Sequence, residues 1–152
     1  MNNRGMTMLE LTIAGTIFVV FASQFSSVWI TTNKQMRFLM DRAKLVRETY
    51  ITRAMLTSDF AYATQVTVVT ADEEFHIDSD SHAGGYNYAL KDGKLIRFDP
   101  LTNSSMTVTS CLGAMTTELH PGYFSTIFNF SKNGAFLNLN FTWQQFPYKE
   151  DS

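Results

Sequence analysis

Met1-Asn2-Asn3-Arg4-Gly5-Met6-Thr7-Met8-Leu9-Glu10-Leu11 opens the chain and decides how everything after it is read. A short polar leader ends at Arg4-Gly5, and the uncharged, mainly apolar run Leu11 to Ile30 follows. Those twenty residues, at about 1.5 Å rise each, reach roughly 30 Å, the hydrocarbon thickness of a bilayer. Between leader and run sits one carboxylate, Glu10. An acidic side chain at the edge of a membrane-length helix is costly, which makes Glu10 the first candidate functional residue. The run also holds Thr12, Thr16, Ser23, Gln24, Ser26 and Ser27. That moderate apolarity suits a helix that leaves the bilayer to pack against copies of itself.

Beyond Ile30 the pattern turns amphipathic. Met36, Met40, Ala43, Val46 or Arg47, Tyr50 and Ala54 recur at three- and four-residue spacing, with Arg37, Asp41, Arg42, Lys44 and Glu48 between them. This is the pattern of a half-buried helix, with those apolar residues as its buried face. No Pro precedes Pro100 and no Gly lies between Gly15 and Gly84, so nothing forces a break. One helix is therefore expected from Met6 to about Phe60, its first half in the membrane and its second half packed on a globular domain.

After Phe60 the period shifts towards two. Strands are expected at Gln65–Thr70, Glu74–Ile77, Tyr86–Lys91, Lys94–Phe98, Met106–Ser110, Thr126–Ser131 and Ala135–Trp143. Asp92-Gly93 and Asn133-Gly134 supply hairpin turns. Leu112 to Phe124, with His120-Pro121-Gly122, reads as a connecting loop. A long helix followed only by hairpins means an α+β fold, an antiparallel sheet packed on the helix.

The opening motif resembles the type IV prepilin family, which includes the pseudopilins of type II secretion. Gly5, Thr7, Met8, Leu9, Glu10 and Leu11 fit that family's pattern, and Met6 keeps an apolar residue where Phe is usual. The resemblance implies residues 1–5 as a leader peptide, 6–30 as a transmembrane and assembly helix, 31–60 as its amphipathic continuation and 61–152 as a globular domain. It implies cleavage after Gly5 by a prepilin peptidase, which also methylates the new amine of Met6. A peptidase gripping extended backbone has a steric reason to demand the smallest side chain at Gly5.

It further implies that Glu10 pairs with the N-terminal amine of a neighbouring subunit, since a carboxylate in apolar surroundings needs a positive partner. The bland alternative is a lone interfacial Glu in an ordinary single-span protein. The implied partners are other pilin or pseudopilin subunits, an inner-membrane assembly platform and membrane lipid. The implied place is the bacterial inner membrane, single-pass, with the C-terminal domain periplasmic, in a pilus or pseudopilus. The positive-inside rule alone reads the other way, because Lys34, Arg37, Arg42, Lys44 and Arg47 follow the span. The stretches Arg53 to Val66 and Tyr88 to Arg97 loosely resemble minor pseudopilins, and the presence of Glu10 argues against the large tip pseudopilin.

At 152 residues the chain fits one domain plus an N-terminal extension, and residues 31–152 are long enough for one core. Thirteen Phe, six Tyr and two Trp supply large side chains for it. The formal charge is −2, which gives no reason to expect nucleic-acid binding. From Phe60 onward Lys91, Lys94, Arg97, Lys132 and Lys149 stand against ten acidic residues. A competence or adhesive pilin-like binding module is thus one alternative, and an unprocessed single-span membrane protein another.

Cys111 stands alone, so the disulfide loop of many pilins is not expected, and a small buried hydrophobe is. His76, Asp78, Asp80 and His82 alternate as metal ligands on one strand face would, yet Asp80 to Gly85 is dense in loop formers. A solvated hairpin loop is the expectation there, and no metal. No catalytic, phosphate-binding or zinc motif occurs, so no enzyme activity and no cofactor are expected.

Overall fold

The computed structural model describes residues 7–145. Helix α1 runs unbroken over Met8–Phe60, as the absence of Pro and of interior Gly beyond Gly15 allows. The helix crosses two compact units, Met1–Leu39 and Met40–Ser152. Its first part contains a segment long and apolar enough to span a membrane. Thr12, Thr16, Ser26 and Thr31 return their hydroxyls to the carbonyl four residues back, and Ser23 to the one three back. These five hydroxyls thereby satisfy themselves within the helix.

Among the described residues of the second unit the helix is followed by eight strands in two antiparallel meanders. One sheet has the order β1-β2-β3-β4-β5, with β1 Ala63–Thr70, β2 Glu74–Ser79, β3 His82–Lys91, β4 Lys94–Asp99 and β5 Ser104–Thr109. The other is β6-β7-β8, with β6 Leu112–His120, β7 Tyr123–Lys132 and β8 Ala135–Gln144. Helix residues from Met40 onward pack on these sheets, an α+β layout like that of a pilin.

The turns follow their residues. Asp92 and Gly93 have φ of 52° and 69°, and Asn133 and Gly134 have 47° and 83°. Two consecutive left-handed residues make the type I′ turn whose twist matches a two-residue hairpin. Each joins the strands expected from the sequence.

The expected connecting loop is not found. Leu112 to Phe124 instead forms β6, the turn at Pro121-Gly122 and the start of β7. A register shift between Leu112 and Ala114 places Leu112 and Met115 inward three residues apart, so the two-residue period that marks a strand is broken. Gly122 at φ 72° supplies the third position of a Pro-Gly turn.

Phe60 joins the helix end to both sheets. Its ring lies 6.4 Å from Phe75 in β2, 5.6 Å from Phe124 in β7 and 4.9 Å from Phe141 in β8. Each such pair adds about 0.5–1.5 kcal/mol beyond the area it buries. Leu45, Leu56, Phe75, Tyr88, Leu95, Phe124 and Phe128 are fully enclosed in the same core.

The helix face that does the packing is not the one its apolar residues suggest. Leu45, Thr52, Leu56, Asp59 and Phe60 point inward, while Met36, Met40, Ala43, Val46, Arg47, Tyr50 and Ala54 are exposed. The inward face is more polar because its polar groups are satisfied: the Thr52 hydroxyl donates to Glu48 O at 2.9 Å, and Asp59 is paired. Burial then costs little, and hydrophobicity alone selects the wrong stripe.

Candidate functional site

Gly5 and Met6, the expected cleavage and methylation positions, lie outside the described residues. Glu10 does not, and it sits at the start of α1 in a closed arrangement with Thr7. The Glu10 Oε2 accepts the Thr7 N–H at 2.8 Å and the Thr7 hydroxyl at 3.0 Å. In return the Glu10 N–H donates to Thr7 Oγ1 at 3.3 Å. This is a capping box, with Thr7 as N-cap and Glu10 three residues on, and it satisfies helix-start donors that have no carbonyl partner. Both side-chain contacts fall on Oε2, and the residue as a whole is exposed. A carboxylate held at the N-terminal end of a 53-residue helix is fixed in position and open to an incoming cation.

The other concentrated polar group lies where α1 meets the first sheet. Asp59 accepts the Tyr88 hydroxyl at 2.6 Å, the Arg97 Nε–H at 2.6 Å and the Arg97 Nη2–H at 2.9 Å. The Arg97 guanidinium also lies 3.6 Å over the Tyr86 ring. Burial first, then the Asp59 charge, pushes the Tyr88 phenol far above its ordinary range. Burial works against the Arg97 cation, but the hydrogen bonds and charge of Asp59 outweigh it and hold the guanidinium above its usual value.

Both Asp59 carboxylate oxygens are engaged by this set, which fastens the helix end to β3 and β4. The sequence did not single out Asp59 for this role. The available signal was an acid placed three residues after Leu56 on one helix face, where a bare charge would be expensive.

The alternating His76–His82 segment does not converge. Strand β2 continues to Ser79, past the expected break at Ile77, and Asp80-Ser81 turns into β3. His76 bonds Asn87 through Nδ1 and Asp78 through Nε2, the latter at 3.0 Å. His82 instead stacks on Tyr86 and places Nε2 2.9 Å from Asp99 Oδ1. That contact, with those to Thr102 and Leu101, draws the Asp99 carboxyl down to about 2. Among the described residues no three His, Cys, Asp or Glu side chains gather to hold a metal ion. Cys111 is a free thiol in the core.

No family model, curated protein or solved structure matches the chain.

Proposed function

We propose that this chain is a pilin-like structural subunit, a minor pilin or pseudopilin, cleaved after Gly5 and assembled through its N-terminal helix into a filament. The supporting observation is the Thr7–Glu10 arrangement, a positioned carboxylate at the head of a helix with a membrane-length apolar segment. In this reading the amine exposed at Met6 of an incoming subunit pairs with Glu10 of its neighbour, and the capping box holds the carboxylate in register. The prepilin peptidase and the inner-membrane assembly platform act on the chain from outside, and the subunit itself carries out no catalysis. Its place is the bacterial inner membrane, with residues 61–152 on the periplasmic side.

The same capping box supports a second reading, in which Glu10 only starts the helix of an unprocessed single-span protein. Glu10→Gln separates the two, since Gln also serves at that position of a capping box but carries no charge. Loss of filament incorporation with membrane insertion intact supports the subunit reading. Wild-type incorporation of the variant sinks it.

A further inference from the structure

The outer face of α1 over residues 40–57 is apolar and uncovered. Met40, Val46 and Tyr50 are 65%, 53% and 74% exposed, and Ala43 and Ala54 lie open beside them. These residues recur at three and four, opposite the inward stripe of Leu45, Thr52, Leu56 and Asp59.

Within and beside them stand Arg42, Lys44, Arg47 and Arg53, all exposed. The carboxylates of this stretch are engaged elsewhere or partly buried. Asp41 meets Lys132 at 3.1 Å and Asn133 at 2.9 Å, Asp59 holds Tyr88 and Arg97, and Glu48 is half-buried. The outer face is therefore apolar and positive.

The sheet region of the same unit, strands and turns together over residues 63–145, carries the opposite sign, with eight acids against four cations. Of the cations Lys91, Lys94, Arg97 and Lys132, two already pair with helix carboxylates. Exposed acid collects where the β1–β2 turn meets β6, at Asp72, Glu73 and Glu118. The Asp72 carboxylate accepts the Thr117 N–H at 2.8 Å, and the Asp72 N–H donates to Thr117 Oγ1 at 3.1 Å, which fixes turn and strand together. Exposed Val69 and Leu119 flank this end, so it too combines apolar area with charge.

We propose that the outer helix face of one subunit docks on the Asp72–Glu73–Glu118 end of a second copy of this chain. Apolar area supplies the contact, and opposite charge selects the partner surface and the register. The two surfaces differ, so the contact is heterologous: each joined pair keeps one free surface of each kind and can add further copies. The inference rests on the filament reading and names the contact made between subunits outside the N-terminal segment.

The test uses the full chain in native membranes, with Cys111→Ala as background and two differently tagged copies. One copy carries Tyr50→Cys and the other Val69→Cys, and an added oxidant captures neighbours as a disulfide. The expected result is a Tyr50–Val69 cross-link whose yield falls on the order of tenfold, about one decade of affinity, with Arg47→Glu and Arg53→Glu in the first copy. Glu73→Lys and Glu118→Lys in the second copy restore it. These four side chains are exposed and make none of the side-chain bonds described above.

A yield indifferent to charge reversal, or no rescue by the swap, overturns the docking. So does an unchanged cross-link accompanied by loss of binding to anionic lipid vesicles, which assigns the basic face to membrane. The N-terminus, determined on the same material, separates the two claims. Charge-independent yield from a chain beginning at Met6 removes the docking alone, and charge-dependent yield from a chain beginning at Met1 removes the processed subunit alone.

Discussion

Asp59 at the end of α1 and Arg97 in β4, 38 residues apart, share a two-bond ion pair at 2.6 and 2.9 Å. The two stretches that hold them, Arg53 to Val66 and Tyr88 to Arg97, lie against each other in the fold. The pair fixes the last turn of the helix to the five-stranded sheet, while Phe60 next to it packs across both sheets. These two neighbouring residues anchor the helix end to both sheets.

Removing one partner leaves the other buried and unpaired, which costs more than the pair itself contributes. Arg97→Met is expected to destabilise the protein by about 3 kcal/mol. Adding Asp59→Leu should recover part of that loss, because both charges are then gone while the buried Tyr88 hydroxyl loses its acceptor. Denaturant unfolding of the single and double variants is the check. A double variant no more stable than Arg97→Met would show that the pair does more than neutralise itself.

The Asp99 carboxyl is drawn down to about 2, chiefly by its hydrogen bond from His82. A group with a depressed folded value contributes stability that is complete above its unfolded value, near 4, and is lost as pH falls towards 2. The melting temperature should therefore drop between about pH 4 and pH 2. Asp99→Asn keeps the side-chain oxygen that receives the Leu101 and Thr102 N–H groups and should flatten that slope. Melting curves of both proteins across this range decide it.

Gly85 and Gly122 both hold a left-handed backbone, at φ 58° and 72°, yet their surroundings differ. A Cβ at Gly85 would lie 1.9 Å from the Ile77 carbonyl oxygen, whereas one at Gly122 meets nothing within 4 Å. Gly122→Ala should cost about 1 kcal/mol, the conformational term alone. Gly85→Ala should cost about 2–3 kcal/mol, because β2 and β3 must separate to admit the methyl group. Equal losses would mean that the close approach carries no energy.

Much of the fold was legible because its signals are local. The helix could be drawn from Met6 to Phe60 by the lack of any interior breaker, and Asp92-Gly93 and Asn133-Gly134 have few other uses between apolar runs. What escaped was set by tertiary context. Strand β6 hid behind a bulge that interrupts its alternation, and the packed face of α1 was missed because Thr52 and Asp59 become compatible with burial only through their partners. Glu10 could be singled out from its setting, but its bonds to Thr7 depend on where the helix begins. The mutual placement of Asp59, Tyr88 and Arg97 spans two elements, and no spacing in the sequence records it.

The most direct test of the proposed subunit is the intact mass and N-terminal sequence of the protein taken from its native membranes. The account predicts a chain that begins at Met6 and carries one added methyl group. A chain that begins at Met1 contradicts it, leaving a single-span α+β protein whose Glu10 only caps a helix.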